Sequence, residues 1–431
     1  MTRVLIICYY WPPAGGPGVQ RWLKFVKYLP QFGIEPVVYI PENPSYPLQD
    51  NSLLEEVPGA VKILKYPIKE PYALASLFSK KQTNNLSAGI IQEHKKQSLM
   101  QRMMLYIRGN FFIPDARRLW VGPSVGFLGG YLDENPVDAI ITTGPPHSLH
   151  LIGLSLKRKK NLPWLVDFRD PWTTIGYHEQ LKLTKKSRKK HEALEHEVLN
   201  AADAVIVTSP STKRDLEKKT QSPVTCITNG FDEEEVPQGK PGVYFTLAHI
   251  GSLLSKRNPE ILWKILAQIK QERFDFAERL KIKLAGKVSE TVLQSLDSHG
   301  LKENVELTGY LTHPEALRAQ HEAFALLLIE IDTPETQVII PGKVFEYLAA
   351  RRPILAVGPS GADFFELVEQ CDSGRCFTYQ DEEAIKAFVI ELFEAYRAGK
   401  ELRCTGDIDR FYRKNLTGQL AKVIKKTITS I

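Results

Sequence analysis

No apolar stretch in this 431-residue chain approaches the ~20 residues that a helix needs to cross a bilayer. "VLIIC" near the start is too short for the core of a signal peptide and runs into Pro12-Pro13, so it reads as a first β-strand. The five cysteines, Cys8, Cys226, Cys371, Cys376 and Cys404, form no C-x-x-C pair, and an odd number argues against a disulfide framework. A reducing cytoplasm is therefore the expected home. Both familiar phosphate fingerprints are missing as well: there is no G-x-x-x-x-G-K-[ST], and Gly15, Gly16 and Gly18 do not make G-x-G-x-x-G. No D-x-D sits in a loop suited to a metal, and no zinc-finger spacing or aromatic-basic motif marks a nucleic-acid surface.

The composition is that of a globular protein, with 43% hydrophobic and 25% charged residues, and the length favours two cores over one. The net charge of +6 is unevenly placed. Lys and Arg outnumber Asp and Glu by 31 to 24 over residues 1–240, against 25 to 26 over residues 241–431. The excess concentrates in "KRKK" at 157–160 and "KLTKKSRKK" at 182–190, with further arginines at Arg102, Arg108, Arg117 and Arg118. Such blocks are either solvated helix faces or an attraction to an anionic membrane surface, where each cation near the headgroups contributes about 1 kcal/mol.

Short apolar runs alternate with helix-like segments throughout. The first series is "RVLIICYY", "EPVVYI", "AVKILKY", "DAIITT", "WLVDF", "DAVIVTS" and "PVTCITN"; the second is "YFTLAHI", "KIKLAG", "NVELTG", "AFALLLI", "PILAVG" and "RCFTY". Nearly continuous apolar strands separated by helices imply parallel sheets covered on both faces, so the expected fold class is α/β with two doubly wound, Rossmann-like domains. The composition break at 231–242, "FDEEEVPQGKPG", marks the join. The expected domains are 1–235 and 236–408, with 409–431 as a terminal helix. Residues 81–110 interrupt the first series as a mobile, partly helical excursion whose end, Met100 to Tyr106, either packs on its domain or touches membrane.

In open α/β sheets ligands bind beyond the carboxyl ends of the strands, so the residues following each run are the candidates. Gly15 and Gly16 follow the first run, within "PPAGGPGVQRWLKFVKYL", where a glycine-rich turn opens an amphipathic helix. "GPPHS" places His147 at a rigid turn, "FRDPW" places Arg169, Asp170 and Trp172 at a strand mouth, and "NGFD" follows "TCIT". In the second series, "PGKVFEYLAA" puts Lys343 and Glu346 on one face near a helix N-terminus, with Pro341 suited to the first turn. A lysine there suits a diphosphate and a carboxylate one turn later suits a ribose diol; the plainer reading is an exposed salt-bridged pair. Lys256 and Arg257 add positive charge after the first strand of that series.

"PGKVFEYLAARRPILAVG" resembles the donor-site segment of group 1 retaining glycosyltransferases, and "WPPAGGPGVQR", "TNGFD", "IGSLLSKR" and "LTGYLTHPE" resemble that family in its chain order. The resemblance covers nearly the whole chain and is weakest between 70 and 135. It implies the GT-B architecture, with two Rossmann-like domains facing a central cleft. The C-terminal domain would bind a nucleotide-sugar, as co-substrate and not cofactor, and the N-terminal domain a saccharide or lipid-linked saccharide acceptor. By this resemblance Glu346 binds the donor ribose, and Gly251, Gly342 and Lys343 belong to the donor site. Lys256 or Arg257 neutralises the leaving diphosphate, with Ser252 standing where an arginine commonly follows the glycine. His147 lies near the transferred sugar, Asp170 is the polar residue after the next strand, Arg169 and Trp172 face the acceptor, and Gly15 and Gly16 let backbone approach the donor phosphates. One departure is Val338, where the family often carries a second glutamate; Glu335 or backbone amides would replace it.

The resemblance further implies retention of configuration, without a metal, in cell-surface polysaccharide biosynthesis, by a cytoplasmic protein or one peripheral at the inner membrane face. Two other readings fit: a nucleotide-sugar epimerase of the same architecture, and a non-catalytic sugar-nucleotide-binding partner protein.

Overall fold

The structure, a computed structural model, describes residues 1–70, 99–174, 181–232 and 242–430. The excursion expected from residue 81 lies outside the described residues up to residue 98, as does most of the composition break, 233–241. The chain divides into two compact units, one of Met1–Thr228 with Arg413–Ile431 and one of Asn229–Tyr412.

In the first unit β1 (Thr2–Ile7), β2 (Ile34–Pro41), β3 (Lys62–Tyr66), β4 (Ala139–Gly144), β5 (Trp164–Phe168), β6 (Ala204–Val207) and β7 (Val224–Cys226) form one sheet, ordered β3-β2-β1-β4-β5-β6-β7. All of its pairings are parallel. The helices are α1 (Pro17–Tyr28), α2 (Leu99–Phe111), α3 (Arg118–Glu134), α4 (Ser148–Lys160), α5 (Lys185–Ala201) and α6 (Pro210–Glu217). The central strands are largely apolar because each face has its own core, whereas the edge strand β3 exposes Lys62 and Lys65. Leu5, Ile7 and Tyr9 enter one, while Val4, Ile6 and Cys8 enter the other.

The second unit repeats the design. Strands β8 (Phe245–Ile250), β9 (Leu280–Ala285), β10 (Val305–Gly309), β11 (Ala325–Ile329), β12 (Ile354–Val357) and β13 (Gly374–Phe377) run in the order β10-β9-β8-β11-β12-β13, all parallel. Its helices are α7 (Glu260–Glu272), α8 (Phe274–Arg279), α9 (Glu290–Ser298), α10 (His313–Glu322), α11 (Lys343–Ala350), α12 (Asp363–Gln370) and α13 (Glu382–Arg397). In each sheet the winding reverses once, between β1 and β4 and between β8 and β11, which opens a crevice at the strand carboxyl ends.

Phe231 is wholly buried with Ile408 and Phe411 in the second unit, so the chain has already left the first unit there. The last helix, α14 (Arg413–Thr429), packs Leu416, Leu420 and Ile424 into the first unit's core beside α1. Ile408 and Phe411 therefore belong to the second unit, and of the expected terminal helix 409–431 only the part from Arg413 belongs to the first.

Helix α1 is fastened to the sheet by a buried charge. The Asp167 carboxylate on β5 accepts hydrogen bonds from Arg21 Nη2 (2.9 Å), Arg21 Nε (3.3 Å), Trp22 Nε1 (2.7 Å) and Thr143 Oγ1 (2.9 Å). Burial drives the carboxyl upward, but the Arg21 charge and the bonds from Arg21 and Trp22 outweigh it and hold the pKa below the usual range. Asp167→Asn would leave the Arg21 guanidinium buried without its counter-charge, a loss of about 3–5 kcal/mol. Because the folded pKa lies below the unfolded one, this stability is present above the unfolded pKa and lost as pH falls through the folded value. Chemical denaturation should therefore show a large gap between variant and wild type at pH 7 that narrows in acid.

Candidate functional site

At the first reversal point three loops meet. Gly16 has φ 102°, a left-handed conformation that favours glycine, and opens α1 as its N-cap. Gly18 lies against Arg169: a Cβ there would come within 1.9 Å of Arg169 Nη1. Arg169 Nη2 in turn donates to the Pro145 carbonyl of the loop after β4, and Arg169 N donates to Gly144 O at 2.9 Å. Gly15 donates its N–H to Leu48 O (3.0 Å). The glycines thus serve different ends, Gly15 packing on Leu48 and Asp50, Gly16 supplying the left-handed turn and Gly18 making room for Arg169.

His147 is the N-cap of α4 but makes no side-chain cap bond; Asp115 accepts instead from Ser148 N and Ser148 Oγ, both at 2.8 Å. The His147 ring stacks on Trp172, with centroids 4.8 Å apart and planes 3° from parallel. Trp172 itself is wholly buried and donates Nε1–H to His191 Nδ1 at 3.1 Å. Its side chain, expected at the acceptor, has no exposed surface and so forms a platform beneath His147. Asp170 is partly exposed at the strand mouth, and burial raises its carboxyl above the ordinary value against the opposing Arg169 charge.

In the second unit every polar side chain of "PGKVFEYLAA" reaches another element. Helix α11 begins at Lys343, with Gly342 as N-cap in helical geometry, so Pro341 stands outside the helix and not in its first turn. Lys343 Nζ lies 3.1 Å from His249 Nε2 on β8, Tyr347 Oη accepts from Ile250 N at 2.9 Å, and Glu346 Oε2 accepts from Gln320 Nε2 at 3.0 Å. Gln320 is carried by α10, whose start is fixed by a capping box in which Glu315 Oε2 accepts from Thr312 N and Oγ1. The "LTHPE" signature is therefore the helix start that supplies the glutamate's partner. Gly251 has φ 121°, and a Cβ there would meet Lys343 Nζ at 3.0 Å.

Arg257 makes a two-pronged pair with Glu330, the residue after β11, at 2.9 Å and 3.2 Å. Glu330 is 1% exposed, whereas the Arg257 side chain is 32% exposed. Lys256 is exposed beside it, and its charge helps to hold Glu335 below the usual carboxylate range, after the hydrogen bonds of Glu335's own backbone and Thr333. Burial and the Arg257 charge lower Lys343 to about 8, opposed by Glu330 and Glu346. Lys343 and Glu346 do share a helix face but serve different partners, so the plain salt-bridged pair is not what forms.

Two family models match the chain, Glycosyl transferases group 1 over residues 244–395 and Glycosyltransferase Family 4 over residues 89–235. The two matched segments together span most of the chain, and each matches a glycosyltransferase model. Solved structures share the fold: sucrose-phosphate synthase from Thermosynechococcus elongatus is 13% identical, with all of both chains covered and a TM-score of 0.59. Anabaena Alr3699/HepE in complex with UDP-glucose is 15% identical over all of both chains with a TM-score of 0.58. A putative UDP-N-acetylglucosamine 2-epimerase from Listeria monocytogenes is 11% identical, over 100% of this chain and 97% of that one, with a TM-score of 0.56. No curated protein sequence matches the chain. The two-unit α/β architecture is that of the GT-B glycosyltransferases.

Within the group 1 domain, His249 and Glu330 were not singled out from the sequence, although each interrupts or ends an apolar run, in "FTLAHI" and "ALLLIE". In the Family 4 domain the two basic blocks part company. Lys157, Arg158 and Lys160 pair with Asp203, Glu197 and Asp133, and Arg117 is buried against Glu70, so these charges are consumed internally. Lys182, Lys185, Lys186, Arg188, Lys189 and Lys190 are exposed and have no acidic partner among the described residues.

The Arg257–Glu330 pair can be tested alone. Arg257→Met leaves a buried carboxylate without its cation and should cost about 2–3 kcal/mol at pH 7, less than a wholly buried pair because Arg257 is partly solvated. Arg257→Met with Glu330→Leu should recover most of it in denaturant titrations.

Proposed function

We propose that the protein transfers a sugar from a nucleoside-diphosphate donor to a saccharide acceptor, with retention and without a metal, in cell-surface polysaccharide synthesis. The observation that carries this reading is the group at the ends of β8 and β11. There the half-buried Lys343 ammonium sits at a helix N-terminus beside Gly251, with the Glu346 carboxylate one turn on. Breaking the bond between sugar and phosphate leaves negative charge on a diphosphate. Lys343, Arg257, the exposed Lys256 and the first amides of α11 past Gly342 supply the positive field that stabilises it. Glu346, held by Gln320, would accept from the donor ribose. In the first unit His147 would stand near the transferred sugar, with Asp170, Arg169 and the backbone at Gly15 and Gly16 around it, and Trp172 acting only through His147. The matches to two glycosyltransferase models support the reaction class, and the UDP-glucose complex of HepE supports the kind of donor.

The acceptor in this reading is lipid-linked, and the protein works at the inner membrane face. Helix α2 exposes Met103, Tyr106, Ile107 and Phe111, and its Asn110 fastens it to Lys182 O and Thr184 N at the start of basic α5. Apolar side chains beside unpaired lysines suit an anionic bilayer surface. No described helix is long and apolar enough to cross a membrane. Sedimentation with vesicles should show binding that grows with anionic lipid and drops at least tenfold when Lys185, Lys186, Lys189 and Lys190 become Ser. Binding indifferent to lipid charge would remove the membrane part of the reading.

The donor site is tested by thermal shift with UDP, GDP, ADP and their sugar conjugates. A hundredfold excess over Kd stabilises by about 2.7 kcal/mol, so the correct base should raise the melting temperature and Glu346→Ala should abolish most of the rise. The Listeria neighbour favours one second reading, an epimerase on the same scaffold. Product formed from the sugar nucleotide with no acceptor present would decide for it, and donor binding with no turnover at all would point to a non-catalytic partner, for which Val338 is the motive.

A further inference from the structure

The Lys343 ammonium touches His249, and that histidine has no exposed surface of consequence, at 1%. Its Nδ1 lies 3.0 Å from the Leu327 carbonyl of β11, the strand across the reversal point. A carbonyl only accepts, so Nδ1 carries the hydrogen, and Nε2 is left as a lone-pair acceptor 3.1 Å from the Lys343 ammonium. The imidazole is neutral: burial first, and then the Lys343 charge, push its pKa well below the ordinary value, against the backbone bonds to Leu327 and Ser252. We propose that His249 is a positioning residue for the donor's diphosphate, acting by holding the Lys343 ammonium in place from behind. The proposal rests on the donor-site reading given above.

The geometry explains why a histidine suits this place. A carboxylate there would pair with Lys343 and cancel the charge that a phosphate needs. A neutral imidazole fixes the direction of the ammonium and leaves the charge intact, while Gly251, whose Cβ would meet Nζ, keeps the approach open. The charged groups that face Lys343 are Arg257 from the turn after β8, Glu330 from the end of β11 and Glu346 on its own helix. Arg257 disfavours the ammonium and the two carboxylates favour it. An arriving diphosphate adds negative charge, so binding above about pH 8, where free Lys343 loses its proton, draws a proton back onto it.

The test is the Kd of the nucleoside diphosphate selected by the thermal-shift screen, measured from pH 6.5 to 9 by calorimetry in wild type, His249→Leu, His249→Gln and Lys343→Arg. The phosphate's own titration is common to all four, so the variants are compared at equal pH. In wild type affinity should fall as pH rises past about 8. His249→Leu removes the acceptor and should move that fall about one unit lower. The variant should then bind roughly tenfold more weakly than wild type at pH 8.5 and within about twofold at pH 6.5. His249→Gln, which keeps an acceptor oxygen, should restore part of the difference, and Lys343→Arg should flatten the alkaline fall because a guanidinium stays charged. A His249→Leu profile parallel to wild type, whether equal or weaker by one factor at every pH, overturns the positioning role while leaving the donor site standing. Should His249→Leu not fold, an alkaline fall unchanged in Lys343→Arg overturns it as well. Failure of every nucleoside diphosphate to bind wild type overturns the donor-site reading and this inference together.

Discussion

A parallel strand covered by helices on both faces has no solvent along its length, and this constraint governs where chemistry can reside in both units. A polar side chain within such a strand must find its partners inside the protein. Asp167 does so with three donor side chains, and Thr142 with His150 and Trp164. On the central strands the remaining polar groups gather at the strand carboxyl ends, where the loops after β1, β4, β5, β8 and β11 leave the hydrophobic layers, while the edge strand β10 and its neighbour β9 keep Glu306 paired with Lys281 and Lys283 near the surface. The two crevices are therefore consequences of covering both faces, and the residues lining them are those the core could not accommodate.

The same constraint decides what the sequence makes legible. Each of the thirteen runs overlaps one strand: continuous burial leaves a continuous apolar signature in the central strands, and partial exposure leaves a mixed one in the edge strands β3 and β10. "PGKVFEYLAA" was equally readable, since a proline, a glycine and an apolar stripe mark a helix start packed on a core. His249 and Glu330 were harder to see. A polar residue at the end of an apolar run looks like a strand boundary, and only the three-dimensional placement of Lys343 and Arg257 beside them reveals a paired arrangement. The join between units was displaced for a related reason: Phe231 sits in a charge-rich stretch but is buried against Phe411, a partner far away in sequence.

Composition was least informative about charge. The basic excess of the first half reads as one property in the sequence, yet it divides into two populations in space. Lys157, Arg158 and Lys160 at the end of α4 meet carboxylates from three other segments, and a lysine with its counter-ion in place offers little to a distant anion. The cations from Lys182 to Lys190 have no such partners among the described residues and adjoin the exposed apolar side chains of α2. Net charge thus locates an electrostatic tendency only after internal pairing has been removed from the count.

The arrangement around Lys343 shows how a cation can be kept ready for an anion. Two cations and two carboxylates meet there, but only one ion pair forms: Glu330 is spent on Arg257, Glu346 is held by Gln320, and Lys343 faces an uncharged imidazole. Because burial has already lowered the Lys343 pKa toward neutrality, the ammonium has surrendered much of its hydration before any ligand arrives. An anion reaching it has less water to displace and no resident carboxylate to outcompete. On the proposed function, a diphosphate forming beside Lys343 would gain charge stabilisation as the bond to the sugar breaks, and an interaction that strengthens in that way favours the bond-breaking state over the ground state.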